Sequence, residues 1–103
     1  MNRSNVLRIT PTAKSSGLEL VLEGRLAGPW VEVLRQTWTD SLGRKEPRQV
    51  LVDLGSVTFA DSRGRALLLN MQDRGVGFIK ASAFLREILK RNGSSLDVNR
   101  KGA

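Results

Sequence analysis

The residues of this chain that could perform chemistry lie together in the segment 51–64, which reads Leu-Val-Asp-Leu-Gly-Ser-Val-Thr-Phe-Ala-Asp-Ser-Arg-Gly. The candidates for catalysis are Asp53, Asp61 and Ser62, and a serine nucleophile needs a base to remove its proton. The chain contains neither His nor Cys, so the base would be a Lys or a carboxylate, and none stands at a known spacing from Ser62. The chain has no Walker loop and no Gly-x-Gly-x-x-Gly either. We therefore expect no enzyme and no catalytic residues.

Structural roles account for several of the same residues. Asp61 or Ser62 can cap a following helix, because a side-chain oxygen there accepts hydrogen bonds from free backbone N–H groups. Asp53 ends an apolar strand, and we expect it to hydrogen-bond N–H groups of the next loop. Phe59 is expected to fill the core, and Gly64 would let another part of the chain come close. A capped helix start is the simplest reading of the segment taken alone.

Arg63 and Arg65 fit that reading poorly. Cations in the first turn of a helix lie against the positive end of its dipole, which costs a few tenths of a kcal/mol each, up to ~1 kcal/mol. Such a surface suits an anion or an acidic partner.

The formal net charge of +7 leaves several partners open. An Arg-rich surface could bind nucleic acid, an anionic small ligand or an acidic protein. Alternatively, the charges have no partner and are solvated surface residues of a protein from an Arg-rich proteome. The sequence has no aromatic stripe of the RNA-binding type and no unbroken basic run of five. Without His and Cys it lacks the commonest metal ligand and all disulfides, so we expect no metal and no cofactor. It has no signal-peptide-like run and no membrane-length segment, which predicts a soluble, cytoplasmic protein with no membrane partner.

Hydrophobic periodicity predicts the elements that must position these residues. The predicted order is β-β-α-β-α-β-α in one domain, 1–103, with a core of about 6–92 and a loose tail over 93–103. The predicted strands are 6–10, 18–26, 49–54 and 76–81, the helices are 30–42, 63–74 and 83–92, and 55–62 is a loop. Pro11 should end the first strand, and the apolar third strand should be central and parallel to a neighbour. This pattern predicts an α/β fold, a mixed sheet of about four strands with about three helices packed on it.

Two motifs resemble a known family. The first, Leu22-Glu-Gly-Arg-Leu-Ala-Gly28, leads into the first helix, and the second, from Val50 to Gly64, leads into the second helix. The family pattern at the second motif is an apolar strand, Asp-Leu, a short turn, an apolar-aromatic pair, and Asp-Ser-Ser-Gly or Asp-Ser-Thr-Gly. On these motifs the chain resembles the STAS domain, the family of bacterial anti-sigma factor antagonists, over about residues 6–92.

The resemblance implies a non-enzymatic regulatory module in signal transduction and transcription. Members of the family bind an anti-sigma factor that is also a Ser/Thr kinase, and phosphorylation of the second Ser or Thr of the motif switches binding off. The implied partner is an anti-sigma factor, a kinase-like protein or another signalling protein. The implied partner-binding residues are Asp61, Ser62, Arg63, Gly64 and Arg65, with Ala27 and Gly28 nearby in the fold.

The chain departs from the family at residues that matter for regulation. Arg63 occupies the usual phosphoacceptor position, so Ser62 is the residue left as a candidate for phosphorylation. The acids of the family's Gly-Glu-Leu-Asp pattern are absent from Gly24-Arg25-Leu26-Ala27. We therefore expect a basic surface without the ordinary phospho-switch. The family's last strand and helix look reduced, with Val98 as a candidate edge residue, and a homodimer could cover the exposed edge.

Overall fold

A computed structural model describes residues 6–41, 46 and 49–89 of the chain. The elements follow the predicted order and are β1 Leu7–Lys14, β2 Gly17–Leu26, α1 Pro29–Ser41, β3 Val50–Ala60, α2 Ser62–Asp73, β4 Gly77–Ile79, and α3 over 83–89. The predicted tail over 93–103, including Val98 as an edge residue, lies outside the described residues.

The four strands form one mixed sheet in the order β1-β2-β3-β4. The first pair is antiparallel, while β2, β3 and β4 run parallel to one another. The predicted central, parallel position of the third strand is confirmed. Because parallel strands end at the same edge of a sheet, the residues that follow β2, β3 and β4 meet there, and we call this edge the carboxyl edge.

The core lies between the sheet and the helices and is aliphatic apart from one indole. On α1 the buried residues are Val31, Leu34 and Trp38, with Trp30 partly buried against them. The inner face of α2 presents four buried residues, Gly64, Leu67, Leu68 and Met71. The spacing of i, i+3, i+4 and i+7 places the four on one helical face. No described helix has the length and apolarity to span a bilayer.

The prediction that Pro11 ends β1 is wrong. The strand continues to Lys14, and Pro11 pairs in register with Leu20. The strand lies at an edge of the described sheet, where a residue without an N–H group is tolerated because no second neighbour needs that donor. The following turn is therefore shorter than predicted and comprises 15–16.

The prediction of a loop over 55–62 is also wrong, because β3 continues to Ala60. The pairing moves from Val21 with Asp53 to Arg25 with Phe59, so β3 has two more residues than β2 over this stretch. Such bulges bend and twist a strand without ending it. The polar residues that indicated a loop lie within this irregular part of the strand.

The predicted burial of two phenylalanines and the predicted length of one strand also differ from the structure. Phe59 does not fill the core, since 38% of its surface is exposed. The apolar spacing of the third helix predicts that Phe84 faces inward with Leu85 and Leu89, but Phe84 is 51% exposed while Leu85 and Leu89 are buried. The last described strand covers only Gly77–Ile79, which is shorter than the predicted 76–81.

Candidate functional site

Asp61 connects two junctions at the carboxyl edge. Its backbone is extended, and its Oδ1 atom accepts a hydrogen bond from the Gly64 N–H at 2.8 Å, which makes Asp61 the N-cap of α2. Its Oδ2 atom accepts a second hydrogen bond, at 3.0 Å, from the N–H of Gly28, just before α1. Of the two predicted caps, Asp61 is therefore the one used. A single carboxylate ties the starts of α1 and α2 together.

The same contacts lower the pKa of the Asp61 carboxyl below its usual range. The largest cause is the hydrogen bond from Gly28, followed by that from Gly64, and the positive charge of Arg63 adds to both. Burial acts in the opposite direction and is outweighed. The two hydrogen bonds and the charge of Arg63 favour the charged form, so the carboxylate is ionised at neutral pH.

Backbone contacts bring the same two junctions close. The Asp61 N–H donates to the carbonyl of Leu26 at 3.1 Å. Gly64 is buried against that residue, and a Cβ atom at position 64 would lie 2.5 Å from the Leu26 oxygen. The close approach predicted for Gly64 is confirmed. Ala27 and Gly28 therefore lie beside Asp61 and Gly64, as the sequence predicts, while a partner-binding role for them stays a prediction.

Ser62 and Arg63 are exposed at the start of α2. Among the residues that the structure describes, the Ser62 hydroxyl forms no hydrogen bond, so no described base is placed to activate it as a nucleophile. Arg65 is half-buried, and its guanidinium carbon lies 5.9 Å from the centre of the Phe84 ring. This contact links the first turn of α2 to the start of α3.

The structure contains a second arginine–phenylalanine pair, which the sequence does not predict. The guanidinium carbon of Arg25 on β2 lies 4.2 Å from the centre of the Phe59 ring on β3. The two residues are register partners across the parallel strands. The register depends on the bulges in β3, so sequence spacing gave no signal for the pairing.

Asp53 accepts a backbone hydrogen bond as expected, but it does not end the strand, and the donor belongs to β3 instead of a loop. Its Oδ1 atom accepts a hydrogen bond from the Gly55 N–H at 2.8 Å, and its Oδ2 atom lies 3.5 Å from the Lys80 ammonium. It belongs to β3 itself and is separate from the Asp61 contacts. Within the described part of the chain, no three carboxylates come together as a metal site.

A solved structure, that of the anti-sigma factor antagonist SpoIIAA in its unphosphorylated form, is similar to this one. The similarity covers 95% of this chain and all of that chain, with a TM-score of 0.65 and 15% sequence identity. The chain has the STAS fold. No protein-family model and no curated protein sequence matches the chain, so its likeness to known proteins is one of fold.

Within this STAS fold, Arg63 is the second residue of α2 and points its charge into solvent. Its neighbour Ser62 is the first helical residue, and Asp61 holds both at a fixed place beside the start of α1. The arrangement offers exposed cations, an exposed hydroxyl and two partly exposed phenyl rings on a braced edge. These groups can bind another molecule, and none of them forms a described acid–base pair.

Proposed function

We propose that this chain is a non-enzymatic regulatory module of the anti-sigma factor antagonist type. It binds an anti-sigma factor, a kinase-like protein or another signalling protein, and it acts in the control of transcription. Its partner-binding residues are Asp61, Ser62, Arg63, Gly64 and Arg65, together with Ala27 and Gly28.

The observation that carries the proposal is the double hydrogen bond of the Asp61 carboxylate. It fixes the first turn of α2 to the start of α1 through Gly64 and Gly28. A binding surface loses less conformational entropy on association when it is ordered beforehand. The exposed side chains of Ser62 and Arg63 project from this ordered turn, which suits recognition by another protein.

The proposed module has no ordinary phospho-switch. The resemblance puts the phosphoacceptor at Arg63, and a guanidinium group cannot be phosphorylated. Ser62 remains exposed, but a phosphate there would meet the cations of Arg63 and Arg65 and would be attracted to them. Binding is therefore constitutive, or is controlled by something other than phosphorylation at position 63.

The test is affinity capture from nuclease-treated lysate of the source organism, followed by mass spectrometry. The wild-type chain is compared with Arg63→Glu, Ser62→Ala and the control Arg74→Glu. Arg74 is also exposed but caps the opposite end of α2. We expect a signalling or kinase-like protein to be held by the wild type, Ser62→Ala and Arg74→Glu, and to be lost with Arg63→Glu.

Two results would contradict the proposal. Capture of no specific protein by the wild type would remove the binding function. Equal capture by the wild type and Arg63→Glu would remove the proposed surface. Phosphatase treatment of the bait should leave the captured amount unchanged, and a change would restore a phospho-switch.

A further inference from the structure

Two exposed phenyl rings adjoin the start of α2, and each has a guanidinium group over one face. Phe59 lies two residues before the cap Asp61 and is covered by Arg25 at 4.2 Å. Phe84 is the second residue of α3, and the guanidinium carbon of Arg65, from the first turn of α2, lies over its ring at 5.9 Å. Arg25 and Phe59 lie near the ends of β2 and β3, while Arg65 and Phe84 lie in the helices that follow β3 and β4. Both pairs are therefore at the carboxyl edge of the sheet.

The rings are exposed to an extent that packing does not explain. Phe59 is 38% and Phe84 is 51% exposed, in a chain that has only three Phe and two Trp. A folded domain gains little by leaving such large apolar side chains in water. Partly exposed aromatic residues are also the type that contributes most to protein interfaces, together with Arg.

The charges at this edge are unbalanced. Among the described residues, Arg25, Arg63 and Arg65 form no ion pair with a carboxylate. By contrast, Arg35 on α1 is paired with Glu32, and Lys14, the last residue of β1, is paired with Glu19 near the start of β2.

The one carboxylate at the start of α2, that of Asp61, interacts with the charge of Arg63 but offsets only one of the three positive charges. Both oxygens of Asp61 already accept backbone hydrogen bonds, from Gly28 and from Gly64. The edge therefore keeps a local positive excess.

We infer that the two arginine–phenylalanine pairs are the anchors of an interface for an acidic protein segment, one rich in Asp and Glu with interspersed apolar residues. The inference rests on the proposed function and deepens it by naming the chemistry of the partner and three further contact residues, Arg25, Phe59 and Phe84.

The geometry of a stacked arginine favours this partner. A guanidinium group that lies over a ring uses its flat face there and keeps the N–H donors at its rim free. Those donors form paired hydrogen bonds with a carboxylate, and the ring restricts the side chain so that less entropy is lost on binding. Apolar residues of the segment would pack on the exposed parts of Phe59 and Phe84.

A nucleic acid fits the same edge less well. Sequence-independent binding of single strands depends on aromatic faces that are open for bases to stack on. The Arg25 guanidinium occupies one face of Phe59 at 4.2 Å, so a base could stack only on the opposite face, while Arg65 lies farther from Phe84, at 5.9 Å. The exposed donors are suited to planar carboxylates, and an oligonucleotide is an outcome of the test below.

The test uses the full chain labelled with nitrogen-15 and a short synthetic peptide of Glu, Asp and Leu. Its counterpart replaces every Glu and Asp by Gln and Asn. We expect the acidic peptide to shift the amide signals of Arg25, Phe59 and Phe84 and of the first turn of α2. The counterpart should leave them unchanged, and raising the ionic strength should weaken binding because the charges are exposed.

Matched variants separate the anchors from the general charge. Arg25→Glu and Arg65→Glu should each weaken the acidic peptide about tenfold or more, since each replaces attraction by repulsion. The same charge change in Arg74→Glu, at the far end of α2, should have no more than a small effect. Phe59→Ala and Phe84→Ala should weaken binding while the other amide signals keep their positions, which shows that the fold is intact.

The inference is overturned if the acidic peptide shifts no amide at low ionic strength, shifts a different surface, or binds Arg74→Glu as weakly as Arg25→Glu. It is also overturned if an oligonucleotide of equal charge binds this edge more tightly than the peptide. These failures differ from failure of the proposed function, because a captured protein that needs Arg63 but not Arg25 or Phe59 would leave that function standing.

Discussion

Asp61 shows how one side chain can hold the starts of two helices together. It is the cap of α2, the link to Gly28, and the acid that precedes Ser62 and Arg63 in the exposed turn. The capping role could be predicted from the sequence, because an Asp before Ser-x-Gly and an apolar helix is a common helix start. The link to Gly28 could not, since it joins residues 33 positions apart through a sheet register that spacing does not give.

The lowered pKa of Asp61 predicts how stability depends on pH. Its hydrogen bonds favour the ionised form in the folded state, so their contribution is fully present above the ordinary carboxyl pKa of about 3.9. It is lost as the pH falls through the lower pKa of the folded state. We expect Asp61→Asn to cost about 1 kcal/mol at neutral pH, because Asn still caps α2 but cannot accept at both oxygens. Urea unfolding at neutral and acidic pH measures both effects.

The comparison between the two proteins isolates Asp61 from the other carboxylates, which titrate in both. The difference in unfolding free energy should be largest at neutral pH and should shrink on acidification. A difference that stays constant with pH would mean that the charge of Asp61 does not contribute. Asp40→Asn, on the exposed face of α1, is the control and should leave stability nearly unchanged.

The two exposed phenylalanines, Phe59 and Phe84, are wrongly predicted from the sequence to face the core. Phe59 follows an apolar strand, and a large aromatic residue there usually indicates the core. Phe59 lies on the outer face of β3, one residue before the buried Ala60, and Arg25 covers the ring from the neighbouring strand. Each extra residue in β3 reverses the direction in which the following side chains point, so the two reversals cancel and Ala60 faces the core like Val50 and Val52. The prediction of a core position for Phe59 fails because it treats 55–62 as a loop instead of a strand.

At the scale of elements, the position of α2 on the sheet depends on the contact between Gly64 and β2. The buried face of α2 was predictable from its apolar spacing. From the sequence, Gly64 predicts that another part of the chain comes close, but it does not say which part. Its consequence is that the start of α2 sits directly over Leu26, which lets Asp61 reach Gly28.

This contact predicts that Gly64→Ala destabilises the protein, against the intrinsic preference of a helix. Ala in place of Gly should stabilise an ordinary helix by about 0.8–1.0 kcal/mol. Here the new methyl group would lie 2.5 Å from the carbonyl oxygen of Leu26, which is backbone and cannot move without shifting β2. We expect a net loss of about 1–3 kcal/mol in unfolding free energy, measured by urea denaturation.

The reverse change at an exposed site is the control. Ala66→Gly, on the outer face of the same helix, should lose about 1 kcal/mol from helix propensity alone. A stabilised Gly64→Ala protein would show that α2 can move away from β2 at little cost. If the proposed surface is correct, Gly64→Ala should also weaken partner capture, because the displaced turn no longer holds Asp61 beside Gly28.

At the scale of the whole molecule, the fold class and element order could be predicted because strong periodicity and glycine positions agree along most of the chain. The distribution of charge could not, because it depends on which cations the fold pairs with acids. Lys14, Arg35 and Lys80 are paired in the folded chain, with Glu19, Glu32 and Asp53. The described residues carry nine Lys or Arg and nine Asp or Glu, so they are neutral as a set, and the net charge of +7 comes from residues outside the described part of the chain.

This distribution predicts that the protein does not bind duplex DNA at physiological ionic strength. Sequence-independent binding requires several cations along one surface, and affinity then falls steeply with salt, by about 0.9 log units per log unit of salt for each phosphate contacted. Among the described residues, the carboxyl edge has three unpaired arginines, Arg25, Arg63 and Arg65, and two of them lie over phenyl rings. Fluorescence anisotropy with labelled duplex DNA at low and physiological ionic strength should show weak binding at the first and none at the second. Arg63→Glu should change the weak binding only slightly, whereas it should abolish protein capture. Saturable binding at physiological ionic strength that Arg63→Glu removes would instead make nucleic acid the partner of this edge.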